Sequence, residues 1–282
     1  MEIWDIYDKN RVKTGRTGVR GENLKSGEYH LVVFAFIINA NNEILISRRT
    51  MNKTFPGCWE ITGGSAVSGD TSEVAILREI REELGVEVDL KNGHLIKSHI
   101  GIGYASYFAD TYIFFEDIDI KDVVCQVEEV SEAKYVTLPE FYQMLQEDKF
   151  TTNTFIYEPL YQVIVESYFE SWLSNDFNRF KGLLHEDIIV EECSGDTYEG
   201  IKACETWFET WNQPGNRVSS WKITRTISGD LNSEIIVEWN FVCDYDYKTY
   251  SFDGCSIFTF KDHLIISLKE FQMEKEKKYP YK

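Results

Sequence analysis

The sequence predicts two domains of different fold class, an α/β domain followed by an α+β domain. Its 282 residues are enough to bury two hydrophobic cores. In the first half, strand-like runs surround one strongly marked helix, which indicates a mixed sheet. In the second half, helical periodicity comes first and four long strand runs come last. A polar, turn-rich stretch near residue 155, KFTTNTFIYEPL, separates the halves. We therefore predict domains at 1–153 and 157–282.

Composition and charge exclude several classes of protein. The net charge is −18, spread evenly over both halves. Such a chain repels nucleic-acid polymers and anionic membranes, so we expect neither as a partner. The N-terminus lacks the pattern of a signal peptide, and no apolar run approaches the ~20 residues of a membrane helix. The six cysteines show no C-x-x-C spacing and indicate reduced thiols. We expect a cytoplasmic protein.

The elements of the first domain follow from strand and turn patterns. The strand run EIWDIY leads into a loop that holds the one basic stretch of the chain. The run HLVVFAFIINANNEILISRR indicates a hairpin across NANNE, and HLIKSHIG, YASYFADTYIFF and AKYVTL are further strand candidates. PEFYQMLQED indicates a helix with Pro in its first turn. The basic residues either meet substrate phosphates or line a dimer interface; they are Arg11, Lys13, Arg16 and Arg20.

The strongly marked helix lies within GGSAVSGDTSEVAILREIREELGV, residues 63 to 86. Its apolar side is Ala75, Ile76, Ile80 and Leu84.

The same helix sets Glu79, Glu82 and Glu83 on one turn. Like charges at this spacing repel by a few tenths of a kcal/mol per pair. A solvated acidic helix is the structural alternative, but a purely structural helix gains little from this repulsion. The pattern therefore predicts that the carboxylates bind a positive charge. Oxygen ligands at this density suit Mg²⁺, with Mn²⁺ as a substitute, whereas Zn²⁺ would want His or Cys nearby.

This segment resembles a known family signature. Gly64, Asp70 and the run REIREELGV from Arg78 to Val86 are similar to the Nudix box, G-x5-E-x7-R-E-U-x-E-E-x-G-U. The one departure is Asp70, where the family usually has Glu. The resemblance covers roughly residues 1 to 150. It implies an α/β/α sandwich and Mg²⁺-dependent hydrolysis of a nucleoside diphosphate linked to another moiety, so the implied partner is a small nucleotide-type substrate.

The resemblance also implies roles for individual residues. Arg78 would hold the acidic face in place through a charge-assisted bond to Asp70. A carboxylate would take a proton from water, and Glu83 is one candidate. The loop CQVEEVSEAKYV offers two more carboxylates, Glu128 and Glu129, for a metal ligand, base or substrate contact. The implied metal ligands are Glu79, Glu82, Glu83 and the main chain of Gly64.

The N-terminal stretch looks like the branch of the family related to isopentenyl diphosphate isomerase. His30 stands where that branch has a metal-binding histidine, although a structural histidine is the alternative. Cys58 precedes Trp59 and no His follows, so we expect hydrolysis rather than isomerisation. For substrate binding we name Arg20 and Arg48. Arg48 and its neighbour Arg49 alternate along a strand, so at most one of them faces the site.

Residues 157–282 resemble the SnoaL-like group of the nuclear-transport-factor-2-like fold. The resemblance is carried by YFESWLSNDFNRFKGLLHEDIIVEE, GDTYEGIKACETWFETW and FDGCSIFTF. It implies a cone-shaped α+β barrel, a curved sheet around helices with a pocket inside. Glu199, Glu238 and Asp187 are conceivable pocket acids. Five tryptophans either line a small-molecule pocket or fill the core: Trp172, Trp207, Trp211, Trp221 and Trp239.

The leading hypothesis is a Mg²⁺-dependent Nudix pyrophosphohydrolase whose cone domain binds a small molecule or dimerises. Two alternatives stay open: a nucleotide-sensing module without turnover, and a bifunctional enzyme with a second activity in the cone. A homodimer also stays open. The sequence does not identify one nucleoside diphosphate derivative as the substrate, because the Nudix box predicts only a site for a metal-bound diphosphate.

Overall fold

The computed structural model describes residues 2–101, 106–151, 159–228 and 234–274. Internal contacts divide the chain into two compact units, Met1–Pro159 and Leu160–Lys282. The predicted boundary near residue 155 lies outside the described residues, so the domain limits stay a prediction. No helix among the described residues is long and apolar enough to cross a membrane.

The first unit is built on a mixed seven-stranded sheet and a separate antiparallel hairpin of β1 and β2. The sheet order is β5-β4-β3-β8-β7; β6 also pairs with β3, and β9 with β4. The strands are β1 (Ile3–Tyr7), β2 (Lys13–Val19), β3 (His30–Ile38), β4 (Ile44–Arg49), β5 (Trp59–Glu60), β6 (Thr62–Ser65), β7 (Gly93–Gly101), β8 (Tyr107–Phe115) and β9 (Val130–Val136). The helices are α1 (Ser72–Leu84) and α2 (Leu138–Gln146), with short 3₁₀ turns at Leu90–Asn92 and Ile120–Asp122.

Helix α1 is fixed at both ends and along one face. The Thr71 side chain accepts a hydrogen bond from the Val74 amide, and Gly85 ends the helix in the left-handed region at φ 66°. The predicted apolar side packs into the core between α1 and the sheet, and its four residues are fully buried: Ala75, Ile76, Ile80 and Leu84. This packing holds α1 against β3 and β6 and fixes where its acidic residues lie.

The second unit has the predicted order of helices first and an antiparallel meander last. Its sheet order is β11-β10-β15-β14-β13-β12. Among the described residues, β10 and β15 pair in parallel and the other neighbouring strands pair antiparallel. Helix α3 packs against β12, and α5 packs against β10. The elements are α3 (Leu160–Leu173), α4 (Phe177–Gly182), β10 (Leu184–Glu191), β11 (Thr197–Glu199), α5 (Gly200–Trp211), β12 (Arg217–Ser228), β13 (Glu234–Tyr245), β14 (Lys248–Lys261) and β15 (Leu264–Met273). The predicted fold class is confirmed.

Candidate active site

A cavity of about 280 Å³ opens in the first unit beside α1 and β6. Charged side chains dominate its lining, and they come from segments far apart in the sequence. All three glutamates of the helix face contribute, together with three carboxylates from other segments of the chain. These six carboxylates are Glu2, Glu60, Glu79, Glu82, Glu83 and Glu129.

Arg78 connects the acidic face of α1 to β6. One of its terminal nitrogens donates to the Ser65 carbonyl at 3.0 Å and to Asp70 Oδ2 at 3.2 Å. The other donates to Glu79 Oε1 and to Glu82 Oε2, both at 2.9 Å. The expected pairing of Arg78 with Asp70 is therefore present, and the shorter Asp side chain does not prevent it. These bonds orient Glu79 and Glu82 together.

Gly64 provides the space in which the Glu79 carboxylate lies. A Cβ on Gly64 would lie 2.4 Å from Cδ of Glu79 and 2.5 Å from both of its carboxylate oxygens. Any larger residue would have to displace that carboxylate. The motif therefore requires a glycine at position 64, because the Glu79 carboxylate approaches the main chain closely there.

The carboxylates deepest in the cavity resist ionisation. Glu83 is only 4% exposed, and burial together with the nearby Glu60, Glu79 and Glu129 raises its pKa well above the usual value. Among the described residues, the one hydrogen bond to its carboxylate comes from the Gly63 amide at 3.4 Å. Burial raises the pKa of Glu79 to about 7, although Arg78 opposes that shift. A bound cation would relieve this repulsion.

Within the described residues, no three acidic, His or Cys side chains are arranged as a formed metal site. Arg78 contributes to this absence, because its guanidinium forms hydrogen bonds with two of the carboxylates, Glu79 and Glu82. The donor set nevertheless fits a hard divalent ion, since it consists of oxygen atoms only and includes a buried carboxylate without an ion-pair partner among the described residues. The absence of a side chain at Gly64 also leaves room for the Glu79 carboxylate to serve as a ligand of such an ion.

Comparison with known proteins identifies the family. The Nudix domain profile matches residues 28–156 and the SnoaL-like domain profile matches residues 165–268. Uncharacterised Nudix hydrolases of Listeria monocytogenes and Listeria innocua are 35% and 34% identical over 158 residues, covering 55% of this chain and 92% of each relative. The chain belongs to the Nudix hydrolase family. A crystal structure of a Deinococcus radiodurans protein is similar at 24% identity and TM-score 0.46, covering 55% of this chain and 95% of that one.

The predicted fusion of a Nudix domain to a SnoaL-like domain is confirmed, as is the prediction of a Nudix pyrophosphohydrolase. Nudix hydrolases generally use divalent metals and act on small nucleotide derivatives. The relation to the isomerase branch stays a prediction.

Two cations face the carboxylates across the Nudix cavity. Arg49 donates to both carboxylate oxygens of Glu60, at 2.8 and 2.7 Å, and Lys53 forms an ion pair with Glu129. Lys53 was not named from the sequence, because it lies in a turn-rich loop with no recognisable motif. The strand alternation at Arg48 and Arg49 was the available signal, since it puts the two side chains on opposite faces and lets at most one of them face the site.

The other predicted contacts lie in different places. Arg48 lies outside the lining; its guanidinium is 5.8 Å from the Trp59 ring centre and 3.6 Å from Glu132. The arginine that faces the cavity is therefore Arg49 rather than Arg48. Glu128 is exposed and outside the lining, whereas its neighbour Glu129 lines it.

Arg20 also lines the Nudix cavity, where it pairs with Glu2 at 2.8 Å. The rest of the basic stretch is held in ion pairs elsewhere in the same unit: Arg11 with Asp110, Lys13 with Asp5, and Arg16 with Glu28.

His30 is a buried residue stacked on another ring. Its ring lies 4.1 Å from the Trp4 ring, nearly parallel, and burial lowers its pKa to about 4. It is outside the lining of the Nudix cavity. The structure therefore fits the structural alternative for His30.

The SnoaL-like domain contains a cavity of about 310 Å³ with a different lining. All five tryptophans of this domain contribute to it, and four of them are also largely buried in the core. The acids in its lining are Glu192 and Glu270. The acids that we considered from the sequence are exposed and outside the lining, because their strand and turn positions face solvent: Asp187, Glu199 and Glu238.

Proposed function

We propose that the Nudix domain hydrolyses the diphosphate linkage of a nucleoside diphosphate derivative with Mg²⁺ as the metal ion. The observation that carries this proposal is the buried acidic cluster beside Gly64, in which Glu83 has no ion-pair partner among the described residues. A purely structural cluster of this kind destabilises the fold, whereas a metal site uses the same charge.

The metal ligands of the proposal are the three glutamates of α1 and the main-chain carbonyl of Gly64. Mn²⁺ is the expected substitute because it accepts the same oxygen ligands. When bound, the metal neutralises the diphosphate and lowers the pKa of water. Arg78 acts as a positioning residue, since it already orients Glu79 and Glu82.

A second group of residues contacts the substrate phosphates in this proposal. Arg49, Lys53 and Arg20 place positive charge around the cavity, and each is paired with a carboxylate in the absence of substrate. Phosphate oxygens form bidentate bonds with arginine and compete with those carboxylates. The lining as a whole is acidic, so a bound divalent ion would act together with these cations to attract an anionic substrate to this cavity.

The proton acceptor is either Glu83 or Glu129. Glu83 is buried and is itself one of the proposed ligands, whereas Glu129 lies across the cavity in an ion pair with Lys53. Single substitutions distinguish them, because loss of the base removes one limb of the pH profile of kcat/KM and loss of a ligand weakens metal activation.

The test is release of phosphate or nucleotide from a panel of nucleoside diphosphate derivatives, with Mg²⁺, with Mn²⁺ and with chelator. The variant is Glu82→Gln with Glu83→Gln, and the matched control is Glu87→Gln, which removes an exposed charge just beyond α1. We expect metal-dependent turnover that falls at least about 10²-fold in the double variant and is unchanged in the control. Tight binding of one compound without turnover of any would favour the nucleotide-sensing alternative.

For the SnoaL-like domain we propose a ligand-binding role, supported by its aromatic cavity. Dimerisation and the cytoplasmic location stay predictions.

A further inference from the structure

The cavity of the SnoaL-like domain has walls of aromatic rings. The Trp221 ring centre lies 5.6 Å from that of Trp239 and 4.9 Å from that of Phe241, both nearly edge to face. On another side, the Trp172 ring lies 4.7 Å from Trp207 and 5.6 Å from Trp211. Such rings present faces of negative electrostatic potential, which attract cations.

Two acidic residues, Glu192 and Glu270, are part of the described lining of this cavity. That lining contains no Lys, Arg or His. Neither acid has an ion pair among the described residues. Glu192 accepts a hydrogen bond from the Tyr198 hydroxyl at 3.3 Å. Burial and the proximity of Glu192 raise the pKa of Glu270 to about 8. Two acids therefore share an aromatic cavity without a counter-charge from the described chain.

The Glu270 carboxylate is held in place from behind. Ser256 lies directly opposite Glu270 in the pairing of β14 with β15, and its hydroxyl donates to Glu270 Oε1 at 3.4 Å. The Trp239 indole donates to the same hydroxyl at 2.8 Å. This chain of hydrogen bonds ties an acid to one of the aromatic walls, so both face the same ligand.

We propose that this cavity binds a small organic cation of the substituted ammonium class, with Glu270 as its counter-ion and the tryptophan faces around its alkyl groups. The proposal deepens the ligand-binding role proposed above for the domain and is independent of the hydrolase activity. The volume of about 310 Å³ is at the small end for ligand sites and suits a compact molecule.

Other ligand classes fit this cavity less well. A hard metal ion requires about six oxygen ligands, and aromatic carbon atoms supply none. An anion would find no positively charged side chain in the described lining. A neutral apolar molecule would fill the space but leave both acids without a counter-charge. An ammonium ion satisfies the acids and the aromatic faces together.

The experiment is isothermal titration calorimetry on the full chain with tetramethylammonium, choline and benzyltrimethylammonium chlorides. The matched uncharged ligand is 3,3-dimethylbutan-1-ol, which has the shape of choline. The variant is Glu270→Gln, and the control is Glu238→Gln, an exposed glutamate of β13 that pairs with Arg225 at 3.4 Å. Tryptophan fluorescence provides a second readout.

We expect at least one cation to bind about tenfold more tightly than the uncharged alcohol, and Glu270→Gln to remove about that factor. The control should bind as the parent chain does. Equal binding of choline and the alcohol would overturn the cation proposal while leaving a ligand-binding domain. No binding of any cation at millimolar concentration would also overturn it. Nucleotide turnover, measured on the same samples, reports separately on the hydrolase proposal, and Glu192→Gln provides a second variant if Glu270→Gln does not fold.

Discussion

The two cavities of this protein treat buried acids in opposite ways. In the Nudix domain, cations of the same domain pair with five of the six carboxylates: Arg78 with Glu79 and Glu82, Arg49 with Glu60, Lys53 with Glu129, and Arg20 with Glu2. In the SnoaL-like domain, two carboxylates face aromatic rings and have no cationic partner among the described residues. Charges of both signs suit a polar substrate that arrives with a metal ion, whereas acids among aromatic rings suit a ligand that is itself a cation.

Asp110 is a useful comparison for the acids of both cavities, because it is a buried acid whose carboxylate accepts hydrogen bonds from three side chains. Arg11, Ser72 and Ser98 all donate to its carboxylate, with Arg11 Nη1 at 2.8 Å and Ser72 Oγ at 2.5 Å. Burial raises its pKa, but these bonds outweigh burial and leave the pKa lowered overall. Asp110 therefore stabilises the fold in its ionised form, whereas Glu83 and Glu270 have raised pKa values and no ion-pair partner among the described residues.

The largest expected effect is on Asp110. Asp110→Asn should lower the free energy of unfolding by about 3 kcal/mol, because it removes a buried charge that three donors surround. The measurement is denaturant unfolding at neutral pH. Since the folded pKa is lowered, the stabilisation is present above the ordinary pKa of 3.8 and is lost as the pH falls through the folded value.

The matched substitution in the Nudix cavity is Glu83→Gln. It should leave stability unchanged or slightly raised while activity is lost, because it removes repulsion rather than a bonded charge. Equal stability losses in Asp110→Asn and Glu83→Gln would contradict the division between structural and functional acids.

The next effect concerns geometry in the Nudix cavity. Gly64→Ala should reduce kcat/KM by about 10²-fold, because a Cβ at 2.4 Å from Cδ of Glu79 forces that carboxylate about an ångström away. That loss corresponds to about 2.7 kcal/mol of transition-state stabilisation. Thermal unfolding serves as the control and should change little, because the carboxylate borders open space. Full activity in this variant would remove Glu79 from the proposed ligand set.

The sequence predicts the parts of the Nudix site that are local. Glu79, Glu82, Glu83 and Arg78 lie on one helix, whose periodicity fixes which of them share a face. The apolar side of the same helix was predicted for the same reason. Arg49 and Glu60 lie at the ends of two strands, and the pairing of β4 with β5 brings them together at the cavity. Lys53 comes from the loop between these strands.

In the cavity of the SnoaL-like domain, even fewer of the lining residues could be predicted from the sequence. Glu192 and Glu270 lie on different segments and belong to no motif, so their meeting depends on the parallel pairing of β10 with β15. The acids considered from the sequence had suitable chemistry, but strand register turns them to solvent. A pattern of runs predicts this fold without predicting which side chains face its pocket.

A glycine in the cone cavity allows a parallel test. A Cβ on Gly254 would lie 2.1 Å from Cη2 of Trp239 and 2.5 Å from the Phe271 carbonyl oxygen. Gly254→Ala should therefore lower the free energy of unfolding by about 2 kcal/mol, because a buried indole and a strand must both move. Denaturant unfolding measures it. Unlike Gly64→Ala, this variant should leave nucleotide turnover unchanged, and a loss of turnover would show that the two cavities are coupled.

The smallest effect is the pH dependence of stability that Glu270 confers. Because its folded pKa is raised to about 8 from the ordinary 4.5, the folded state holds a proton that the unfolded state has lost between those values. Stability should therefore fall as the pH rises through this window, with a slope of at most about 1.4 kcal/mol per pH unit. Other groups whose pKa is raised by burial line the same cavity and contribute their own slopes: Glu192, Cys193 and Cys243.

The difference between the parent chain and Glu270→Gln isolates the contribution of this one acid. The variant should show a flatter profile between pH 5 and 8, since Gln carries no proton to lose. A saturating ammonium ligand should flatten the parent profile in the same way, because it stabilises the ionised carboxylate in the folded state. Identical profiles for the parent chain and the variant would mean that Glu270 ionises as freely in the cavity as in water, and the contrast between the two cavities would then rest on their aromatic walls alone.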